Sequence, residues 1–295
     1  MRGRRSRSTS GASGPRIGAH VPTRGTGLLG AIESARTCGA EAAQIWGSNP
    51  RAWSQPSLSE ERREAFRRAW AEAGIGPLFL HAPYMVNVAS PTPAFRARSV
   101  ALAKATVRLA DDLGAAGVVV HAGAAGAATD PAEGRGRAAD SLRAIAGEAQ
   151  DTLVLVELTA GGAGSVASTF PEARALFDAA DGHQGLALCI DTCHLFATGY
   201  ELDTPEGVGE AFGELRRNGL TRRLRLVHAN DSKFARGMRR DSHTHIGQGH
   251  IGDRGFRAIL GQAAVRRCAV VCETPGRLED TARNIAALRR LAGLG

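Results

Sequence analysis

Residues 117–157 read GVVVHAGAAGAATDPAEGRGRAADSLRAIAGEAQDTLVLVE and contain a complete strand–helix–strand pattern. The two apolar runs, Gly117–His121 and Leu153–Glu157, are short and rich in valine and leucine, which is typical of buried strands. Between them, residues 131–150 place apolar side chains at i, i+3 and i+4 spacing, which indicates a helix that packs on one face. Two strands joined by such a helix pair in parallel, so this segment predicts an α/β fold.

The same pattern continues in both directions along the chain. Further candidate strands lie at residues 17–21, 42–46, 78–82, 186–191, 224–228 and 269–273. A glycine ends several of the intervening helical segments, as at Gly39, Gly74 and Gly114, which is a common way for a helix to stop. Eight strand–helix units with short connections fit a domain of ~250 residues, so they predict a single (β/α)8 TIM-type barrel over residues 16–295.

The composition is that of a globular protein with one large core. The chain has 295 residues, of which 43% are hydrophobic and 22% are charged. No apolar run approaches the ~18 residues that a membrane span requires, so we expect no membrane partner. Five cysteines, an odd number, favour a reducing compartment over a disulfide framework. We therefore expect a cytoplasmic protein, and we expect it to be a monomer.

The first 15 residues differ from the rest in being polar and basic. They are rich in arginine, serine and glycine and lack the apolar stretch of a secretory signal, so we predict a disordered basic arm at residues 1–15. The formal net charge of the chain is +8, and five of the positive charges lie at Arg2, Arg4, Arg5, Arg7 and Arg16. This balance is compatible with a nucleic-acid partner without requiring one.

Potential metal ligands stand at or beside the ends of six of the eight predicted strands. They are His81, His121, Glu157, Asp191, His228 and Glu273, and the following loops add His194, Asp241 and His243. The carboxyl ends of the strands in such a barrel open onto one face, so these side chains should converge there. A set of imidazoles and carboxylates without thiolate suits Zn²⁺ or Mn²⁺ in a catalytic site. The sequence therefore predicts a metal centre at the mouth of the barrel.

Other residues near these strand ends have simpler explanations. His20 also ends a predicted strand and should lie near the site, but a lone histidine there is more often hydrogen-bonded than metal-bound. Cys189 and Cys193 form no CxxC pair, so we interpret both as packing residues. The glycine-rich segment 161–164 lacks the lysine and hydroxyl residue of a phosphate loop, and we interpret it as a rim loop.

Eight short motifs occur in order between residues 17 and 276. They are IGAHV, QIWGSNPRAW, HAPYMVN, VELTAG, CIDTCHLFATGY, HANDSK, DSHTHIGQGHIG and CETPG. In this order they resemble the endonuclease IV family of apurinic/apyrimidinic (AP) endonucleases, also called deoxyribonuclease IV, over nearly the whole chain. The resemblance implies a zinc-dependent enzyme of base-excision repair. Such an enzyme hydrolyses the phosphodiester 5′ to an abasic site in double-stranded DNA and leaves a 3′-hydroxyl.

The resemblance also implies a site with three zinc ions. The first would be held by His81, His121 and Glu157, the second by Glu157, Asp191, His228 and Glu273, and the third by His194, Asp241 and His243. Glu157 would then bridge two ions, and Glu157 and Glu273 are the expected catalytic carboxylates. Zinc suits phosphodiester hydrolysis because it lowers the pKa of a bound water and neutralises charge on the phosphate.

The rim residues that resemble the family's DNA contacts follow the second and third strands. Arg51, Trp53, Tyr84 and Met85 are the expected DNA-binding residues. An abasic nucleotide lacks stacking, so extruding it from the duplex costs less than extruding a normal one. The chain departs from the family pattern at Leu158, Ser242 and Gln248, where asparagine, arginine and glutamate are common in relatives.

Two other classes of function remain open from the sequence. A xylose-isomerase-like sugar isomerase or epimerase would share the barrel and could use the four ligands of the second predicted zinc ion. It would have no use for the other histidines and Asp241, which disfavours this alternative. A DNA-binding module without catalysis is the second class, and the full set of ligands argues against it.

Overall fold

The computed structural model describes residues 14–23, 27–53 and 58–294. Its strands are β1 (Arg16–His20), β2 (Ala43–Trp46), β3 (Leu78–His81), β4 (Gly117–His121), β5 (Leu153–Glu157), β6 (Leu186–Asp191), β7 (Leu224–His228), β8 (Asp231–Ser232), β9 (His243–Thr244) and β10 (Ala269–Cys272). Its helices are α1 (Leu28–Thr37), α2 (Glu60–Ala73), α3 (Pro93–Leu113), α4 (Pro131–Ala146), α5 (Phe170–Ala179), α6 (Thr192–Thr198), α7 (Pro205–Arg217), α8 (Gly252–Gly261) and α9 (Leu278–Leu291), with a 3₁₀ turn at Val265–Arg267.

Within the described ranges, eight parallel strands close into a barrel in the order β1-β10-β7-β6-β5-β4-β3-β2. The predicted (β/α)8 barrel is confirmed, and each predicted strand differs from the observed one by no more than a residue or so at its ends. The sequence did not predict β8 and β9, two short strands that form a small antiparallel hairpin outside the barrel. Residues 1–13 of the predicted basic arm lie outside the described residues, and the arm stays a prediction.

The barrel interior is a layer of buried, mostly apolar side chains directly beneath the mouth. It contains Phe79, Val119, Leu155, Cys189, Leu226 and Val271, all buried. Each of these residues precedes one of the predicted strand-end ligands by two positions, and side chains two apart on a strand point to the same side of the sheet. The predicted ligands therefore lie directly above a layer of closely packed side chains. Truncating Leu155 to alanine in such a core costs about 2–5 kcal/mol.

Two local contacts constrain the barrel strands, hydrogen bonds at the end of β6 and a close backbone approach within β1. Asp191, the last residue of β6, accepts hydrogen bonds from the amides of Cys193 and His194 and so starts helix α6. A Cβ on Gly18 in β1 would lie 1.7 Å from the carbonyl oxygen of Ala42, so only glycine permits this approach. None of the helices in the described part of the chain is long and apolar enough to cross a membrane.

Candidate metal centre

The first group of candidate ligands joins β3, β4 and β5. The Nε2 atoms of His81 and His121 each lie 3.2 Å from Oε2 of Glu157, whose side chain is buried. These three side chains bring their ligand atoms within 4.8 Å of one another. Because each residue ends a different parallel strand, the barrel itself holds the group together.

The second group shares Glu157 with the first and lies deeper in the barrel. His228 Nδ1 is 3.1 Å from the other oxygen of Glu157, Oε1, and 3.2 Å from Oε2 of Glu273. Asp191 completes the group and is fully buried. Asn230 donates a hydrogen bond to Asp191 Oδ2 at 2.6 Å and accepts one from the Glu273 amide at 2.7 Å. The first and second groups are called the strand groups below.

The third group, called the hairpin group below, lies between α6 and β9. Nε2 of His194 is 3.2 Å from one carboxylate oxygen of Asp241, and Nε2 of His243 is 3.0 Å from the other. His194 is buried, whereas the side chain of Asp241 is 52% exposed. This group therefore reaches the solvent through Asp241, and its ligands lie on α6, on β9 and just before β9 instead of at the ends of barrel strands.

A buried carboxylate anchors the loop that follows the hairpin. The Asp231 carboxylate, at the start of β8, accepts hydrogen bonds from the backbone amides of Ser232, Gly247, Gly249, Ile251 and Gly252. A Cβ on Gly249 would lie 2.4 Å from Asp231 Oδ1, so the loop closes on the acid at a glycine. This anchoring limits the freedom of the hairpin group.

Five of the nine predicted ligands are histidines. In four of them a hydrogen bond occupies one ring nitrogen and thereby determines which nitrogen faces the other ligands. They run from His81 Nδ1 to the carbonyl of Ala82 (2.7 Å), from His194 Nδ1 to that of Leu158 (2.8 Å), from His243 Nδ1 to that of Glu273 (3.1 Å) and from His228 Nε2 to the side-chain oxygen of Gln44 (2.9 Å). A carbonyl only accepts, so each of these nitrogens carries the proton and the other nitrogen can bind a cation. Metal-binding histidines are usually oriented in this way.

The electrostatics of the centre also fit a cation. Burial by itself raises the pKa of the Glu157 carboxyl, but the charges of His228 and His121 outweigh burial and hold that pKa well below its usual range. Burial lowers the pKa of His243, while the charge of Asp191 and further carboxylate contacts raise it to about 9. Protons on His194, His228 and His243 thus balance ionised carboxylates, and a metal ion would displace protons of this kind.

One atom of the hairpin group lacks a hydrogen-bond partner of good geometry. Nε2 of His243 is buried and makes no hydrogen bond, although Asp241 Oδ1 lies only 3.0 Å away. A buried ring nitrogen without such a partner can serve as a metal ligand. The donor set, the ring orientations and this unpartnered nitrogen together fit metal ions at the three groups.

The groups open into a cavity of about 480 Å³ at the mouth. Its lining includes His81, His121, Glu157, His194, Asp241, His243 and Glu273, with His20, Trp46, Tyr84, Ser242, Thr274 and Pro275. Asp191 and His228 lie beneath this surface, fully buried. The structure therefore brings all nine predicted ligands to one place, seven of them on the cavity wall.

The predicted DNA-binding residues occupy one side of the rim. Tyr84 is 65% exposed, and its ring lies 4.6 Å from that of Trp46. Met85 packs against the core and Arg51 is exposed. Trp53 is half-buried, with Phe95 at its edge and the Arg98 guanidinium 4.2 Å above its ring. Of these four residues, Tyr84 and Arg51 present the most free surface.

Several residues at the mouth are not among the predicted site residues. Trp46 belongs to the motif QIWGSNPRAW but is not a predicted site residue, although its ring contacts those of His20, His81 and Tyr84. Gln44 carried a usable signal, because it is a polar residue at an inward-facing position of a buried strand. Phe95 gave no sequence signal, because it reaches Trp53 only through the fold.

The cysteines and two of the departures from the family pattern have structural roles. Burial raises the pKa of the Cys189 and Cys193 thiols to about 12, so both remain protonated at neutral pH. Leu158 is buried, and it orients His194 through its backbone carbonyl, which any residue would supply. The backbone carbonyl of Ser242 accepts a hydrogen bond from the backbone amide of Lys233.

Comparison with known proteins places this site in a family. The sequence model of the family described as "Xylose isomerase-like TIM barrel" matches residues 32–291. "Probable endonuclease 4" of Streptomyces coelicolor is 38% identical over 97% of this chain and 99% of its own length. "Probable endonuclease 4" of Methanoculleus marisnigri is 41% identical over 94% of this chain and 99% of its own.

The chain belongs to the endonuclease IV family. The crystal structure of endonuclease IV from Thermus thermophilus covers 95% of this chain and 100% of its own, with a TM-score of 0.84 and 33% identity. The predicted family is confirmed. A D-tagatose 3-epimerase-like structure reaches a TM-score of 0.72 at 18% identity, which shows a shared barrel alone. Membership of the endonuclease IV family thus decides between the two interpretations of the barrel.

Proposed function

We propose that this chain is a zinc-dependent AP endonuclease of base-excision repair. It hydrolyses the phosphodiester 5′ to an abasic site in double-stranded DNA and leaves a 3′-hydroxyl. The observation that carries the proposal is the Glu157 carboxylate, buried at the mouth of an endonuclease IV barrel and shared between two ligand groups. We expect a monomer that works in the cytoplasm, as a repair enzyme must reach the DNA of its cell.

We assign three zinc ions to the three groups. The residues are His81, His121 and Glu157 for the first ion, Glu157, Asp191, His228 and Glu273 for the second, and His194, Asp241 and His243 for the third. Three protein ligands with a position left open are typical of catalytic zinc, and imidazole and carboxylate are its usual donors. Four of the five imidazoles have a fixed tautomer, which supports the assignment.

Zinc at these positions would supply Lewis acidity, which makes a water more acidic and neutralises charge on a phosphate. The protein's part is to hold the ligands where that chemistry is needed. Oε2 of Glu157 faces the first group and Oε1 faces the second, so this carboxylate fixes their separation. Glu273 lines the cavity and turns Oε2 toward His228. We assign the catalytic role to Glu157 and Glu273, which would both contact zinc.

The rim on the β2 and β3 side suits a damaged duplex. Tyr84 stands on Trp46 with most of its ring exposed, in a position to stack against a base beside the lesion. Arg51 offers a cation for a backbone phosphate, and Trp53 and Met85 support the same side of the rim. Contacts of this kind recognise a duplex that can be opened at an abasic nucleotide without reading its sequence.

The test is nicking of a duplex oligonucleotide that carries one tetrahydrofuran abasic analogue. We expect a single cut 5′ to the analogue, with a 3′ end that a DNA polymerase extends. Controls are the same duplex with an intact nucleotide and the same protein after metal chelation. A cut on the 3′ side, or no cut by protein that contains zinc, would refute the proposal.

The rival function is a sugar isomerase or epimerase, which could use Glu157, Asp191, His228 and Glu273 alone. The His121→Ala variant separates the two, because His121 serves the first group only. We expect it to lower nicking by about 10²–10³-fold, as for loss of a group that stabilises transition-state charge. His183→Ala, at a histidine remote from the mouth, is the matched control. Aldose–ketose conversion that persists in His121→Ala, from a wild type that does not nick, would establish the rival.

A further inference from the structure

Gln44 is a buried polar residue that no ligand group contains. It lies in β2 (Ala43–Trp46), beside His20 of β1 in the strand register, and its side chain is fully buried. It faces inward, like the ligands, because Trp46 two residues later lines the cavity. A buried amide must satisfy its hydrogen-bonding groups within the protein, so its partners show what it does.

The partners of Gln44 are two candidate zinc ligands and one histidine beside them. Nε2 of Gln44 lies 2.6 Å from Oε1 of Glu273 and 3.0 Å from Nδ1 of His20. Oε1 of Gln44 lies 2.9 Å from Nε2 of His228. An ionised carboxylate only accepts hydrogen bonds, so the amide nitrogen must face Glu273 and the amide oxygen must face His228.

This orientation has a consequence for each of the two ligands. His228 must carry a proton on Nε2 to donate to Gln44, and its Nδ1 therefore faces Glu157 and Glu273. Glu273 is held through Oε1, so Oε2 is the oxygen turned toward His228. One amide thus selects the ring nitrogen of one ligand and the carboxylate oxygen of another.

Gln44 differs from the groups that orient the other histidines. His81, His194 and His243 donate to backbone carbonyls, which every residue possesses. His228 is oriented by a side chain, which one substitution can remove. We propose that Gln44 is a positioning residue of the second metal site, which holds His228 and Glu273 ready for a divalent cation. The proposal rests on the proposed function, because that function assigns zinc to these residues.

The test compares zinc binding in the wild type and in Gln44→Met, which keeps the length of the side chain and removes its hydrogen bonds to Glu273, His20 and His228. Chelator-competition titration should show one of the three ions bound about 10–100-fold more weakly, as for loss of a group that orients a ligand. The kcat of nicking should fall while KM for abasic DNA stays within about twofold. Thr106→Val, which removes a buried hydroxyl from α3, is the matched control and should change neither quantity.

A measurement on the wild type covers the case in which Gln44→Met does not fold. Zinc-loaded protein with ¹⁵N-labelled histidine is observed by long-range proton–nitrogen NMR, and His228→Asn identifies the His228 signal. A proton on Nε2 of His228 and metal on Nδ1 is the expected result, and metal on Nε2 would overturn the proposal.

The failures of the two proposals can be told apart. Gln44→Met that holds all its zinc as tightly as the wild type overturns the role of Gln44 and leaves the AP endonuclease intact. Wild-type protein that neither holds zinc nor nicks abasic DNA overturns both the proposed function and the role of Gln44. The assays on the wild type alone reveal this second outcome.

Discussion

The strand groups lie inside the barrel, whereas the hairpin group lies on elements above it. Glu157, Asp191 and His228 are almost completely buried and end three adjacent strands, β5, β6 and β7. Asp241 is half exposed and comes just before the short strand β9, outside the barrel. Geometry set by a closed sheet has little freedom, whereas geometry set by a hairpin depends on local anchors such as the Asp231 carboxylate. The two ends of one centre should therefore respond differently to the same perturbation.

The largest difference in nicking rate is expected between substitution of Glu157, in the strand groups, and substitution of Asp241, in the hairpin group. Glu157→Gln should lower the single-turnover rate of nicking by roughly 10³-fold or more, because it disturbs two groups at once. DNA binding should persist, since most contacts of such enzymes are to phosphates elsewhere. Asp241→Asn should have a smaller effect on the rate. Glu148→Gln, remote from the mouth, is the control, and a larger effect at Asp241 than at Glu157 would reverse the comparison.

Metal removal should separate the two ends in time. Gently purified protein should contain about three zinc ions, and a mild chelator should first lower the content to about two, because Asp241 of the hairpin group is the most exposed of the nine ligands. Elemental analysis by mass spectrometry at successive times follows the loss. Simultaneous release of all ions would mean that the centre behaves as one unit. A content of one or fewer in active protein would refute the three-ion assignment.

The rim should contribute to binding more than to chemistry. Tyr84→Ala should weaken binding of abasic duplex by about tenfold, in line with the loss of one aromatic stacking contact. Tyr84→Phe keeps the ring and should retain nearly all of the affinity. Fluorescence anisotropy with catalytically inactive Glu157→Gln as background measures both. Equal losses in the two variants would assign the effect to the hydroxyl instead of the ring.

The smallest effect on turnover is expected from the predicted N-terminal arm. Deleting residues 1–15 should leave turnover almost unchanged and weaken DNA binding mainly at low salt, through arginine–phosphate contacts without fixed geometry. The slope of log affinity against log salt should fall by up to about four, one for each arginine of the arm. An unchanged slope would mean that the arm does not contact DNA.

The sequence revealed the strand groups better than their surroundings. Runs such as LVLVE end in a ligand at a fixed position, and parallel strands converge at one face, so a local pattern was enough to place Glu157. The resemblance to the endonuclease IV family then supplied the grouping of the ligands. Both rest on features that a single stretch of chain carries.

Contacts between distant stretches could not be read in the same way. Gln44 meets His228 across 184 positions of the chain, and Trp53 meets Phe95 and Arg98 only once β2 and α3 are in place. The β8–β9 hairpin consists of strands of two residues, which is too short for a periodic pattern. These features depend on which segments the closed barrel brings together.

The close approach at Gly18 affects how tolerance to substitution should be read in this protein. Any side chain at this position would overlap the carbonyl of Ala42 and open the seam where β1 meets β2. In a library selected for survival after DNA damage, Gly18 would vanish from the list of replaceable positions together with Glu157. The two would fail for opposite reasons, one by losing folded protein and the other by leaving a well-folded barrel without activity. Intolerance by itself therefore does not mark a catalytic residue.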